Sequence, residues 1–520
     1  MEGELSPQSS PRRPLPLLLL LLVAVVVLLV VALVASAIAG FAQYRQVQHL
    51  RAEVAELSAE LETVRDQLAQ DAETPATDNP LAGLLDDLLG GDGDLDGLLD
   101  GGLDGLLGGG LEGLPGAELL GCLQPQGATP TATLPRQPLA EQTAAIAGRV
   151  EELRDLTFTD PPEPVVEAPG DFRAGLVERI TAGYPEEEAE LDRRILAALA
   201  AIPTETDLWR LAVDLVGDQS VGYYDSDTGE IVVRGDSDAD ELGTVEQVTL
   251  AHELEHALAD QALGLPDTDS VDGDAARAAL ALVEGDAVVT MQQFALSALE
   301  VGDQLALSLD PGMMASRAQL ETYPAFLRDE LLFPYTDGLA FVCGLYADGG
   351  WAAVDAAYAD PPTTSAQVLY PERYTDREPA AEVSAPPHPG SGWDEVHTDS
   401  FGAAELRSLF AAPGGDPGAE LDRPDERAAA WAGGTVTLWT AGQDSAVALR
   451  LVERPGHDGL CASVRDWYAA AQPDGGDAGP SGDEVLARSG DPQSGVVACT
   501  SDEVRVGIAP DLAEARAVTR

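Results

Sequence analysis

The sequence predicts an α+β protein. A mainly helical domain with one β-hairpin is expected over residues 141–392 and a small α+β module over 393–520, behind an apolar helix and a short coiled coil. Three observations carry this expectation. Residues 17–42 hold no charged side chain, and a heptad of apolar residues follows directly. Beyond residue 141, helix-period segments are broken by one compact hairpin pattern, and strand patterns return after residue 392. Composition agrees, since 45% hydrophobic content over 520 residues supplies a real core. The 90 Asp+Glu against 29 Lys+Arg give a formal charge of -61, and every basic residue is Arg. Such a chain offers no basic face to nucleic acid, so that class of partner is excluded. Four cysteines are too few for a disulfide-framework protein.

Residues 1–16 read as a cytoplasmic tail, because Arg12 and Arg13 precede the apolar run and favour the inside. At 1.5 Å per residue, the run 17–42 spans about 39 Å, enough to cross a hydrocarbon core of ~30 Å. A cleaved signal is the alternative, and Ala35-Ser36-Ala37 offers a small-residue cleavage pattern. A secretory apolar region is only about 7–15 residues long, however, so a retained single-pass anchor is expected, with the rest of the chain extracytoplasmic. Val47, Leu50, Val54, Leu57, Leu61, Val64 and Leu68 then alternate three and four apart. This seam, within residues 43–70, predicts a parallel coiled coil and a homo-oligomer. Residues 71–140 are low in complexity, with blocks such as Gly83-Leu84-Leu85-Asp86-Asp87 giving way to Pro and Thr. Asp92, Asp94, Asp96 and Gly97 match half a calcium loop, but Leu103 stands where its closing Glu belongs, so a spacer is expected.

Helices are predicted at Glu151–Leu156, Asp171–Ile180 and Glu187–Ala201. A hairpin is predicted across Val221–Val233, turning at Asp225-Ser226-Asp227-Thr228-Gly229. The next helix carries the chemistry. Thr244 and Gln247 form a capping-box pattern at its start, and Gly264 with Pro266 closes it. Inside lies His252-Glu253-Leu254-Glu255-His256. Residues four apart share a helix face, so His252 and His256 can offer two imidazoles to one Zn²⁺, with Glu253 set to act as general base on a water. A third ligand is needed. Asp274 is expected to cap a second, almost wholly apolar helix that is interrupted by Glu284-Gly285-Asp286. A carboxylate in such a helix is costly unless paired or metal-bound, and a helix glycine costs about 1 kcal/mol against Ala unless close packing needs it. Glu284 as third ligand, with Gly285 letting the two helices approach, accounts for both; an ion pair to an Arg is the alternative. Asp260 and Asp286 are candidates for orienting a ligand His through its second nitrogen. Tyr335 is the candidate donor to a developing oxyanion, with His388 and His397 as alternatives.

The pattern resembles the gluzincin branch of zinc metallopeptidases: HExxH on one helix and Glu284-Gly285-Asp286-Ala287 on a second. It is similar in particular to a group of bacterial membrane-anchored HExxH proteins. That likeness rests further on Gly222-Tyr223-Tyr224-Asp225, His256-Ala257-Leu258-Ala259-Asp260-Gln261 and Phe333-Pro334-Tyr335-Thr336-Asp337-Gly338. Gly349-Gly350-Trp351 and the stretch from Pro361 to Tyr374 extend it. Tyr370 departs from the group, where His is usual. The resemblance covers roughly Glu151 to Tyr468. It implies a zincin-like fold with the Tyr-rich hairpin as an edge strand over the active-site helix, and a peptide or protein substrate.

In the C-terminal module, strands are predicted at Thr435–Trp439, Ala446–Val452, Val496–Thr500 and Val504–Ile508, and a helix at Leu460–Ala471. An outside location permits a disulfide between Cys461 and Cys499. Cys343 reads as a buried free thiol, and Cys122 falls in the spacer. The function expected is a membrane-anchored, zinc-dependent peptidase acting outside the cytoplasmic membrane. The alternative is an inactive zincin-like envelope binding or scaffold protein, against which the intact Glu253 argues.

Overall fold

The computed structural model describes residues 121–123, 139–219, 221–235, 241–266, 272–472, 476–490 and 492–520. The expected anchor at 17–42, the coiled coil at 43–70 and nearly all of the spacer lie outside these residues. Among the described residues no helix is long and apolar enough to cross a membrane.

The first half is mostly helical. In order it contains α1 (Leu139–Arg154), β1 (Val165–Glu167), α2 (Pro169–Gly183), α3 (Glu186–Ala198) and α4 (Leu208–Gln219). The hairpin β2 (Gly222–Asp225) and β3 (Glu230–Arg234) follows, then α5 (Thr244–Leu263) and α6 (Gly273–Ala298). Two shorter helices, α7 (Val301–Ser308) and α8 (Pro311–Leu320), lead to the long α9 (Ala325–Gly349), then α10 (Trp351–Ala359), α11 (Ser365–Leu369) and α12 (Pro371–Thr375). The helix expected at 151–156 is thus the end of the longer α1. The hairpin forms as predicted and is joined by β1, which runs parallel to β3, so the order is β1-β3-β2 and β2 is an edge.

The second half is a seven-stranded antiparallel sheet in the order β4-β5-β6-β10-β9-β8-β7. Its elements are β4 (Asp394–Ser400), α13 (Ala403–Ala411), α14 (Pro424–Ala428), β5 (Trp431–Ala441), β6 (Asp444–Glu453) and α15 (Leu460–Ala471), followed by β7 (Gly476–Asp477), β8 (Glu484–Ser489), β9 (Ser494–Cys499), β10 (Glu503–Ala509) and α16 (Leu512–Val518). Strand alternation sends Leu438, Val447, Leu449 and Val506 to one face, where Val464 and Trp467 of α15 cover them. Trp439, Ala446, Ala448 and Val496 face the other way, under Ala515 and Val518 of α16. Fully burying Leu449 or Val464 contributes about 1.5–3 kcal/mol each. The first cluster also takes in Leu199, Ile202, Phe326 and Leu327 from the helical half, so the core is continuous across residue 392.

All four cysteines are paired. Cys461 and Cys499 form the expected disulfide between α15 and β9. Cys343 is not a free thiol: it is bonded to Cys122, 221 residues away. The pairing joins the start of the described chain to α9, and Gln293 of α6 donates to the Cys122 carbonyl beside it (2.7 Å).

Candidate metal centre

The site is built on α5, α6 and α9. From Val248 to Ala259 every residue of α5 is buried, so this helix is surrounded by protein on all faces. Its start differs from the expected capping box. Gly243, in an extended conformation, is the cap; Thr244 is already helical, so its hydroxyl does not bond forward. Gln247 donates instead to the Leu242 carbonyl at 3.0 Å. The end is as predicted: Gly264 takes φ +79° and its amide donates to the Ala259 and Asp260 carbonyls. Helix α6 is capped by Asp272, which accepts from the Ala275 amide, rather than by Asp274. It runs unbroken through Glu284-Gly285-Asp286.

Gly285 does serve a close approach, but to α9 rather than to α5. A Cβ there would lie 2.3 Å from the Gly338 carbonyl oxygen, and one on Gly338 would lie 2.2 Å from the Ala281 oxygen. The two glycines let α6 and α9 touch backbone to backbone. Tyr335, one turn before Gly338, is thereby brought to the same region as Glu284.

The structure brings His252, His256 and Glu284 together. Their ligand atoms lie within 4.8 Å of one another. The two Nε2 atoms are 3.0 Å apart, and Glu284 Oε2 lies 3.3 Å from that of His252 and 3.5 Å from that of His256. Relative exposures are 0%, 4% and 1% for His252, His256 and Glu284. Two buried imidazole nitrogens aimed at each other need a proton or a metal between them, and an N,N,O donor set suits Zn²⁺. Burial pushes the His252 pKa down. Burial also opposes charge on His256, but the Glu284 carboxylate, then Glu253 and Glu255, outweigh it and hold it up at about 9. Burial would raise Glu284, yet His256 and His252 bring it down to about 2.

Glu253 is fully buried and neither of its oxygens has a partner in full hydrogen-bond geometry, although the Tyr224 amide of β2 comes near enough to lower its pKa. Burial is the largest cause that pushes its pKa up to about 8. The edge strand β2 lies directly over it: a Cβ on Gly222 would be 3.4 Å from Glu253 Cγ. The Tyr335 hydroxyl is also buried without a partner in hydrogen-bond geometry. Burial first, then Glu284 and Glu253, push its pKa well above the usual range.

The other candidates lie elsewhere. Asp260 does not orient a ligand His; it accepts from the Tyr224 hydroxyl at 2.7 Å and ties α5 to β2. Asp286 likewise touches neither imidazole, because Arg154 Nε (2.9 Å) and the Tyr358 hydroxyl (3.0 Å) occupy its carboxylate. His388 accepts the Gly390 amide and packs near Trp439, while His397 pairs with Leu438 in the sheet. Tyr370 donates to the Asp425 carbonyl at 2.7 Å. Sequence reasoning missed Glu255 and Arg154, both fully buried. The signal was present: a second carboxylate on an otherwise apolar helix needs a partner as much as Glu284 does. Comparison with protein families, curated proteins and solved structures gives no match.

Proposed function

We propose that this chain is a membrane-anchored, zinc-dependent peptidase that hydrolyses peptide bonds outside the cytoplasmic membrane. The observation that carries the reading is Glu253: a wholly buried carboxylate with neither oxygen in full hydrogen-bond geometry, one residue after a metal-ligating His. A structural zinc site closes with four protein ligands, whereas this one has three among the described residues and a free carboxylate beside them.

His252, His256 and Glu284 would hold the ion, whose chemistry is Lewis acidity toward a carbonyl and an attacking water. Glu253 takes the water's proton and returns it to the departing amine nitrogen. The Tyr335 hydroxyl donates to the oxygen that gains charge as the carbonyl carbon becomes tetrahedral. Strand β2, which among the described residues pairs only with β3, leaves an edge above Glu253 on which an extended peptide can add as a further strand. Two disulfides fit an oxidising compartment, and the apolar run at 17–42 supplies the anchor.

The near-complete burial of His252, Glu253 and Glu284 favours a second reading, an inactive scaffold that binds a metal for stability. One experiment separates them. Full-length protein and its Glu253→Gln variant are loaded with zinc and assayed on a peptide library. The peptidase reading expects equal zinc in both and hydrolysis only by the parent. Zinc in both with hydrolysis by neither supports the scaffold.

A further inference from the structure

The two imidazoles present Nε2 to Glu284 and to each other, so each neutral ligand must carry its proton on Nδ1. A buried N–H without an acceptor is costly, and His256 Nδ1 has no hydrogen-bond partner. What stands beside it is Glu255, with Oε2 at 3.8 Å, an ion-pair rather than a hydrogen-bond distance. Glu255 is itself fully buried, and neither of its oxygens is hydrogen-bonded. Its other oxygen lies 3.8 Å from Arg154 Nε.

Arg154 is held from several sides. Its Nε reaches both oxygens of Asp286 at 2.9 and 3.0 Å, and Nη2 reaches Asp355 at 2.7 Å. Its guanidinium lies 4.4 Å over the Trp351 ring, and Trp351 is itself tied to the Leu153 carbonyl. Tyr358 completes the group by donating to Asp286. Helices α1, α5, α6 and α10 therefore converge behind His256. His252 has no corresponding carboxylate at its Nδ1 among the described residues.

We propose that Glu255 is a positioning residue for the metal: with Arg154, itself held by Asp286, beside it, its carboxylate faces His256 Nδ1–H and keeps Nε2 turned toward the ion. This gives a use to the fourth residue of His252-Glu253-Leu254-Glu255-His256, which the ligand and base roles leave idle. It also explains why Arg154 is buried 0% exposed so far along the chain from the motif. A carboxylate behind a ligating imidazole raises its basicity and fixes its ring, and losing such a partner typically weakens metal binding by about 10–100-fold.

The inference rests on the metal site proposed above, and its test distinguishes the two. Full-length protein, stripped and reloaded, is titrated with zinc against a chromophoric chelator, and the cobalt-substituted form is followed by its visible spectrum. Glu255→Leu, close in size, should weaken zinc by about 10–100-fold and shift the cobalt bands. Glu255→Gln, which keeps an acceptor oxygen, should recover most of both. Zinc affinity and cobalt spectrum unchanged in a folded Glu255→Leu protein would overturn the positioning role while leaving the site intact. If Glu255→Leu does not fold, Asp286→Asn decides: weaker zinc with normal circular dichroism supports the proposal, and unaltered zinc overturns it. A parent protein that takes up no zinc removes the site and this inference together.

Discussion

The helical half and the C-terminal sheet differ in the charged groups they bury. Around α5, α6 and α9, carboxylates and imidazoles are buried with polar atoms left without a hydrogen bond: Nδ1 of His252 and His256, both oxygens of Glu253 and Glu255, Oε2 of Glu284 and the Tyr335 hydroxyl. The sheet buries no carboxylate or imidazole among its described residues, and its buried arginine is hydrogen-bonded through its Nη1 and Nη2 atoms although Nε has no partner. Arg450 reaches Ser384 and Glu503, and Arg373, which joins the halves, donates to the Trp431 carbonyl at 2.7 Å. An unpaired buried carboxylate costs several kcal/mol, so a fold tolerates a cluster of them only where something else repays it. The contrast is consistent with the proposed reading, in which the helical half carries the chemistry and the sheet supports it.

The sharpest way to break that contrast is to remove the groups on which it rests. His252→Ala, His256→Ala and Glu284→Ala should each lower zinc content and abolish hydrolysis, as read by metal analysis of the purified protein. Glu253→Gln should keep zinc and lose about 10²–10⁴-fold in turnover, the usual contribution of a general base. Retention of full zinc by Glu284→Ala would dissolve the three-ligand arrangement. Full activity in Glu253→Gln would leave its orphaned carboxylate without a purpose.

Two smaller effects should separate the halves by stability. Gly285→Ala forces a methyl against the Gly338 carbonyl, where the gap is 2.3 Å. Backbone cannot yield as a side-chain tip does, so α6 and α9 must part, at a cost of about 1–3 kcal/mol or more. Because Glu284 and Tyr335 ride on those helices, zinc affinity should fall as well. Replacing Cys461 and Cys499 by Ser should cost about 2–4 kcal/mol through loop entropy while leaving zinc affinity unchanged. Denaturant midpoints measured beside zinc titrations test both; a zinc effect from the cysteine pair would couple the sheet to the site.

Much of this was legible in the sequence where the determinants are local. The two ligand helices, the hairpin and helix Leu460–Ala471 follow from periodicity, capping and turn residues. Residue contacts made at long range were not legible. Gly285 signalled a close approach, but nothing local says that Gly338, rather than α5, lies opposite. Cys343 reads as an isolated thiol because its partner lies 221 residues back, in a stretch of low complexity. Asp286 looked like a partner for histidine until Arg154, from the end of α1, was seen to occupy it. Strand β4 escaped notice because Asp394-Glu395-Val396-His397-Thr398-Asp399-Ser400 has little apolar alternation; its pairing with β5 makes it a strand. Asp272 and Asp274 are equally good caps by residue type, and only the backbone selects between them.

The seam between the halves offers the finest test. Asp274, in the first turn of α6, is 3% exposed; it accepts the Ser365 amide, and its own amide donates to Ser400 of β4. Burial pushes its pKa from 3.8 up to about 6, with Asp272 adding to the rise, while Arg277 and the bonds from Ser365 oppose it. Around it stand Glu330 and Glu405, both on Arg277, and Asp399, which accepts the Gly273 amide. A carboxyl with a raised folded pKa adds stability that is fully present below pH 3.8 and is lost as pH rises through about 6. Above that range the ionised group is a burden at the joint between sheet and ligand helix. Asp274→Asn, matched in shape and never charged, does not carry it. The stability of Asp274→Asn relative to the parent should therefore rise between pH 4 and 7 by on the order of 3 kcal/mol and level off above. Urea midpoints at half-unit pH steps give the curve. If the parent instead gained on the variant as pH rose, Asp274 would be a carboxylate paired to Arg277, and the seam would belong with the paired charges of the sheet rather than with the orphaned ones of the metal centre.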